Sequence, residues 1–194
     1  MLTVIIPTHN SERALVPTLA ALVPGAMSGL VREVIVADDG SSDATASVVD
    51  VAGCEIMQSS APLAARLKAA AAAARGSWLL FLRPGTVLDA AWVEEVSRLI
   101  DDAGMRGSSD VEAAAFRRGA APGPAEPLWR QVLGLIGAGL RGPHPDQGLL
   151  VTRTAYTRLG GHREAADPEA DLAGRIGRRR IATLRTAAVP WRNS

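Results

Sequence analysis

The sequence predicts an α/β fold: a mainly parallel sheet with helices on both faces. Two observations carry this. Four short apolar runs rich in β-branched residues occur before residue 83, and a helix-length amphipathic or alanine-rich stretch separates each from the next. A β-α-β-α-β-α-β order needs crossover connections, and these set neighbouring strands parallel and cover both sheet faces. The chain has 194 residues, enough to bury a core without disulfides, so one domain over 1–194 is expected.

In order, the predicted strands are LTVII (2–6), EVIVA (33–37), CEIM (54–57) and WLLFL (78–82). After the first, Leu15, Leu19, Leu22 and Val23 share one helical face, and Pro17 suits a first turn better than a helix interior. After the second, DDGSS leads into a helix over 43–52, with Ser42 or Asp43 as its cap. After the third, a helix enters at Pro62 and stops at Gly76; its alanine tract, 69–74, is strongly helix-forming. Asp89 then caps a helix beginning AAWVEEV. RRGAAPGPAEP (117–127) has no apolar periodicity and reads as a loop, followed by an apolar helix over 128–140. A strand and helix in GLLVTRTAYTRLGG, then a helix and short strand in DPEADLAGRIGRRRIATL, complete the chain.

Composition excludes several classes. Twenty-one basic residues against 20 acidic give a net charge of +1, so nothing global points to nucleic acid. The single cysteine, Cys54, cannot form an internal disulfide. No run approaches the length of a transmembrane segment, and the chain reads as soluble and cytoplasmic. There is no G-x-G-x-x-G after the first strand, no phosphate-binding G-x-x-x-x-G-K-[ST] and no G-x-S-x-G elbow. His9, His144 and His162 lack zinc-ligand spacing.

Open parallel sheets bind ligands beyond the carboxyl ends of their strands. PTHNSE (7–12) and DDGSSD (38–43) fall there, as does RPGT (83–86). Adjacent carboxylates at Asp38 and Asp39 repel each other, a cost that turn formation alone does not recover. They could accept hydrogen bonds from a ribose or a base, with Thr8, Asn10 and Glu12 supplying short polar groups alongside.

These stretches together resemble the family-2 glycosyltransferases, which carry the GT-A fold and use nucleotide-activated sugars. The ordered set is VIIPTHNSE, EVIVADDGSSDAT, AAAARGSWLLFLRPGTVL, PDQGLLVTRTAYTRLGGHRE and DPEADLAGRIGRR, and it is most like a short bacterial branch without membrane helices. The resemblance implies a Rossmann-like nucleotide-binding half (1–104) and an acceptor-binding half (105–194). The ligand would be a nucleoside-diphosphate sugar, with a UDP-sugar favoured. Pro7, Thr8, Asn10 and Glu12 would line the nucleotide pocket, and Asp39 with Asp38 would hold base and ribose. Asp146 and Gln147 would face sugar or acceptor. Glu169 would be the catalytic base of an inverting transfer, with Asp167 as its substitute.

Two departures bear on the chemistry. The family ends the fourth strand in an acidic D-x-D that holds Mg²⁺ or Mn²⁺, whereas this chain has Arg83, Pro84 and Gly85. The family also carries N-A-G on the preceding helix, where this chain has Lys68-Ala69-Ala70. Two cations, Lys68 and Arg83, are therefore expected beside the diphosphate, where they could replace the metal's charge. A catalytically impaired nucleotide-sugar-binding protein is the alternative reading. The arginines of GRIGRRRIA (174–182) could grip an anionic acceptor or a membrane surface peripherally, although such runs are usually solvated.

Overall fold

The computed structural model describes residues 1–105, 111–119 and 145–191, and one eight-stranded sheet runs through them. Strands β1 (Leu2–Thr8), β2 (Val31–Asp38), β3 (Glu55–Gln58) and β4 (Trp78–Phe81) lie in the order β3-β2-β1-β4, all parallel. Beyond β4 the sheet becomes mixed. Strand β7 (Leu149–Thr152) is antiparallel to both β4 and β6 (Ala113–Arg118). Strand β8 (Ile181–Pro190) runs parallel to β6, and β5 (Thr86–Leu88) closes the edge antiparallel to β8.

Because successive strand residues point to opposite faces, β1 feeds two cores at once. Leu2, Val4 and Ile6 pack with Leu15 and Leu22 of α1 (Glu12–Met27), Val49 of α2 (Thr45–Val51), and Trp92 and Val96 of α4 (Trp92–Met105). On the other face Ile5, Ile35, Leu79 and Phe81 meet Leu67 and Ala70 of α3 (Leu63–Ala73). Tyr156 of α5 (Arg153–Arg158) and Leu172 of α6 (Pro168–Ile176) complete that layer. The Trp92 indole lies against α1 where Gly25 leaves room: a β-carbon at Gly25 would come within 2.6 Å of the ring. Trp92 Nε1 donates to the Ala21 carbonyl at 3.0 Å, so that ring is both packed and satisfied.

Several local expectations are corrected. Pro17 lies inside α1, as does Pro24, and Val23 faces solvent. Helix α2 begins at Thr45 behind an Ala44 cap; Asp43 still accepts from the Thr45 amide at 3.0 Å. Helix α3 ends at Ala73, before Gly76, whose glycine is needed because a β-carbon would sit 2.6 Å from the Thr3 backbone nitrogen of β1. Arg117 and Arg118 belong to β6 rather than to a loop, and the final strand has ten residues rather than being short. Asp89 does receive the Ala91 amide, at 3.0 Å, ahead of α4. The rest of the expected loop and the apolar helix at 128–140 lie outside the described residues.

Candidate active site

The order β3-β2-β1-β4, followed by an antiparallel β7, opens a crevice past the carboxyl ends of β1 and β4. The last β1–β4 pair is Ile5 with Phe81, and Pro7 and Thr8 continue beyond it alongside β2. The loop after β1 and the loop after β2 are stitched together by side chains. Asn10, held at a positive φ of 46°, accepts from the Ser42 amide at 2.8 Å, and its own amide donates to Ser41 Oγ at 2.9 Å. Asparagine tolerates that backbone region better than most residues. Glu12 Oε2 accepts from the Ala44 amide at 2.9 Å, while Asp43 Oδ2 accepts from the Glu12 amide at 3.1 Å. Each carboxylate thus caps the other's segment.

Asp38 turns inward and is 0% exposed. Its Oδ1 accepts from Thr8 Oγ1 at 2.7 Å and Ser41 Oγ at 2.5 Å, and its Oδ2 from the Ser41 amide at 2.8 Å. Burial pushes its pKa up, but the hydrogen bonds from Ser41, Thr8 and Gln58 outweigh that and hold it below the ordinary 3.8. Thr8 and Asp38 therefore build the loop from beneath it. Asp39 is the carboxylate that reaches the crevice side, partly exposed.

Asp39 is positioned by Arg66 of α3, a residue that the sequence reading passed over. Arg66 is only 8% exposed; it donates to the Ala37 carbonyl at 2.7 Å, the Ala61 carbonyl at 3.0 Å and Asp39 Oδ2 at 3.2 Å. A buried cation is tolerated there because carbonyls and a carboxylate use its whole fork. The signal was present: an arginine among the alanines of a predicted helix, just after the DDG turn. Lys68, two residues on, sits about 200° further around the helix. It is exposed.

The turn after β4 places Arg83 at the mouth of the crevice. The Thr86 amide donates to the Arg83 carbonyl at 3.1 Å, with Pro84 and Gly85 between them and Gly85 at a φ of 83°. This is the residue pattern of a type II turn. The Gly85 amide donates to the Ala14 carbonyl at 2.8 Å and to Thr18 Oγ1 at 2.9 Å, and its carbonyl accepts from the Trp191 amide at 2.7 Å. Bonds to the Gly85 backbone thus fix the turn to α1 and to the residue after β8.

From this turn the Arg83 guanidinium reaches the first turn of α6. Its Nε and Nη2 donate to Glu169 Oε2 at 2.9 and 2.8 Å, and Asp146 and Asp167 oxygens lie 3.9 Å from Nη1 and Nη2. Glu169 is 6% exposed, and burial raises its pKa above 4.5. Arg83 opposes the rise without cancelling it, and Asp167 and Asp146 add to it. Asp167 is also the cap of α6, accepting from the Glu169 and Ala170 amides at 3.2 and 3.0 Å. Gln147 donates to the Phe116 carbonyl at 2.8 Å, tying the 3-10 turn Pro145–Gln147 to β6. The structure therefore gathers Arg83, Asp146, Asp167 and Glu169 into one cluster, and sets Asn10 and Asp39 in the loops after β1 and β2 with Glu12 at the start of α1.

Beneath α6 lies His162, 2% exposed, with its ring edge-on to Phe81 at 4.6 Å and Nδ1 2.9 Å from the Tyr156 hydroxyl. Nε2 has no partner, and burial lowers the pKa to about 4, so the ring is neutral at pH 7. The glycines before it are held by Arg175, which donates to the Leu159 and Gly161 carbonyls and pairs with Asp171 at 2.8 Å. Arg158 and Arg180 pair with Glu112 at 2.5 and 3.3 Å, so part of the terminal arginine run serves the fold.

A half-parallel open sheet with loops converging at its switch point defines an α/β protein of the GT-A class. The model of "Glycosyl transferase family 2" matches residues 3–116, and the chain belongs to that family. No curated protein sequence matches it. Among solved structures, the chain is similar to Staphylococcus aureus TarS 1–349 in complex with UDP-GlcNAc, with a TM-score of 0.71 and 19% identity over 100% of this chain and 59% of that one. It is also similar to Pyrobaculum calidifontis mannosyltransferase PcManGT with GDP-Man and Mn²⁺, at a TM-score of 0.71, 17% identity, and 97% and 56% of the two chains. Mycobacterium tuberculosis glucosyl-3-phosphoglycerate synthase with Mn²⁺, UDP and glucosyl-3-phosphoglycerate gives a TM-score of 0.65 and 20% identity, covering 100% of this chain and 72% of that one. The chain spans about 60% of the TarS 1–349 structure. Among the described residues no helix is long and apolar enough to cross a membrane.

Two of these neighbours hold Mn²⁺, and the carboxylates of this cluster are the residues here that could meet such an ion. With Arg83 seated on Glu169, the cluster's donor set does not fit. A guanidinium stands 2.8 Å from Glu169 and 3.9 Å from Asp146 and Asp167, in the space that a divalent ion shared by these carboxylates would need. No carboxylate precedes it at the end of β4.

Proposed function

We propose that the protein transfers a sugar from a nucleoside-diphosphate sugar, a UDP-sugar favoured, to the hydroxyl of an acceptor, with inversion and in the cytoplasm. Residues 1–104 bind the nucleotide and residues 105–194 the acceptor. The observation that carries this reading is Glu169: a buried carboxylate with a raised pKa, at the open switch point of a family-2 sheet. Glu169 takes the proton of the attacking hydroxyl. The hydroxyl oxygen bonds to the anomeric carbon, the bond from that carbon to the diphosphate breaks, and its electron pair leaves on the phosphate oxygen. Asp39, oriented by Arg66, accepts hydrogen bonds from base or ribose. Pro7, Asn10 and Glu12 shape the neighbouring wall, Thr8 and Asp38 support it, and Asp146 and Gln147 face the acceptor. Asp167 holds the α6 terminus that carries the base.

A second reading, a nucleotide-sugar-binding protein without transferase activity, is favoured by one observation: Arg83 already occupies the Glu169 carboxylate. Incubation with UDP-glucose, UDP-GlcNAc and GDP-mannose and a panel of hydroxyl acceptors, with EDTA or Mn²⁺, followed by assay of released nucleoside diphosphate, separates the two. The transferase reading expects release that falls about 100-fold or more in Glu169→Gln. Nucleotide binding without release under either condition would favour the binding protein.

A further inference from the structure

We propose that Arg83 is a two-position cation: Glu169 holds it in the free protein, and an arriving diphosphate takes it, releasing Glu169 to act as base. The proposal rests on the transferase reading and specifies how its base becomes available. Three features of the cluster carry it. Among the described residues the guanidinium has one close partner, Glu169 at 2.8 Å, while Asp146 and Asp167 stand off at 3.9 Å. Its side chain is 38% exposed, whereas that of Glu169 is 6% exposed. The turn carrying it is fixed through the backbone, so the long side chain can swing without disturbing β4.

A diphosphate offers a guanidinium more charge and more acceptor oxygens than one carboxylate does, and in the bidentate geometry that arginine prefers. Once Arg83 leaves, Glu169 stays buried beside Asp146 and Asp167 without its cation. Its affinity for a proton then rises toward the range in which a carboxylate is an effective base near neutral pH. The proton of the acceptor hydroxyl passes to Glu169, and Arg83 neutralises the charge on the departing diphosphate. Binding of the donor and readiness of the base are thereby coupled through one side chain.

The test is a double-mutant cycle of UDP binding by calorimetry in EDTA, using the parent, Glu169→Gln, Arg83→Gln and the double variant. Handover predicts that Arg83→Gln weakens UDP about tenfold or more and that Glu169→Gln tightens it about three- to tenfold, because the competitor is gone. That gain must vanish in the Arg83→Gln background; a gain that persists there is simple charge repulsion and overturns the proposal. Repeating the titrations near pH 5, where a released Glu169 draws from solvent the proton that near neutral pH comes from the acceptor, in buffers of different ionisation enthalpy should show more proton uptake on UDP binding by the parent than by Glu169→Gln. Equal uptake overturns the release of Glu169. Arg83→Lys, which keeps the charge without the fork, should fall between parent and Arg83→Gln. Circular-dichroism melts establish that each variant is folded, and Glu169→Ala replaces Glu169→Gln if the latter is not. If the parent binds neither UDP nor GDP, the nucleotide-sugar reading itself fails, and the handover with it. Binding with no gain in Glu169→Gln removes the handover alone.

Discussion

Arg83 Nη2 lies 2.8 Å from Glu169 Oε2, joining the turn after β4 to the first turn of α6 across 86 residues of sequence. The pair sets a permanent positive charge on a carboxylate that would otherwise be buried alone. Its energetic sign depends on pH, which makes it measurable.

Arg83→Met should lower stability at pH 8 by about 1–2 kcal/mol, a value reduced because the guanidinium is partly exposed. Glu169 has a raised folded pKa, so the folded state binds the proton more tightly than the unfolded one. Its contribution is fully present below 4.5 and is lost as pH rises through the folded value. Without Arg83 that loss deepens. The variant's deficit in melting temperature should therefore be larger at pH 8 than at pH 5, and Glu169→Gln should flatten the profile.

Arg66→Met should cost about 2–4 kcal/mol in urea unfolding, because it strands the Ala37 and Ala61 carbonyls and the Asp39 carboxylate. Arg66→Lys should recover little, since one ammonium cannot span three acceptors in the geometry of the fork. UDP affinity should fall in both variants.

His162 predicts acid sensitivity of opposite sign to Glu169. Its folded pKa of about 4 lies below the ordinary 6.5, so the unfolded chain takes up the proton first. Stability is full above 6.5 and declines as pH falls from 6.5 to about 4, by about 3 kcal/mol. His162→Phe, apolar and similar in shape, should remove that segment of the profile in melts between pH 4 and 7.

Gly25→Ala should destabilise by about 1–3 kcal/mol, since the new β-carbon meets Trp92 at 2.6 Å and Val31 Cγ2 at 2.8 Å. Trp92 must shift, and its buried emission should move toward longer wavelength. Gly53→Ala is the contrasting case, strained by a φ of 65° but with nothing within 4 Å. It should leave the Trp92 signal unchanged.

The first four strands were legible because each is a compact β-branched run followed by a helical period. The second half was harder. Strand β6 reads AAAFRR, where the apolar character comes from small alanines that favour helix, and β5 is three residues hidden behind a turn. Antiparallel pairing of β7 depends on contacts across 70 residues, which periodicity cannot report. At the site, sequence placed Asp39, Arg83 and Glu169 at strand ends or helix starts. It did not reveal that Arg83 faces Glu169, or that Asp38 faces inward, because alternation along β2 decides which of two neighbouring carboxylates the sheet conceals. Lys68 was set with Arg83 beside a diphosphate from the residue types alone; in the structure it is exposed, about 200° around α3 from Arg66.

The Arg83–Thr86 turn receives its hold from Ala14, Thr18 and Trp191, all of which bond to Gly85 rather than to the side chain at 83. The path of the turn is thus set without that side chain. An acidic residue there would reverse the polarity of the crevice mouth while leaving the polypeptide where it is. Cation-carrying and acid-carrying versions of this turn can therefore share one polypeptide path and differ at position 83 in the side chain alone.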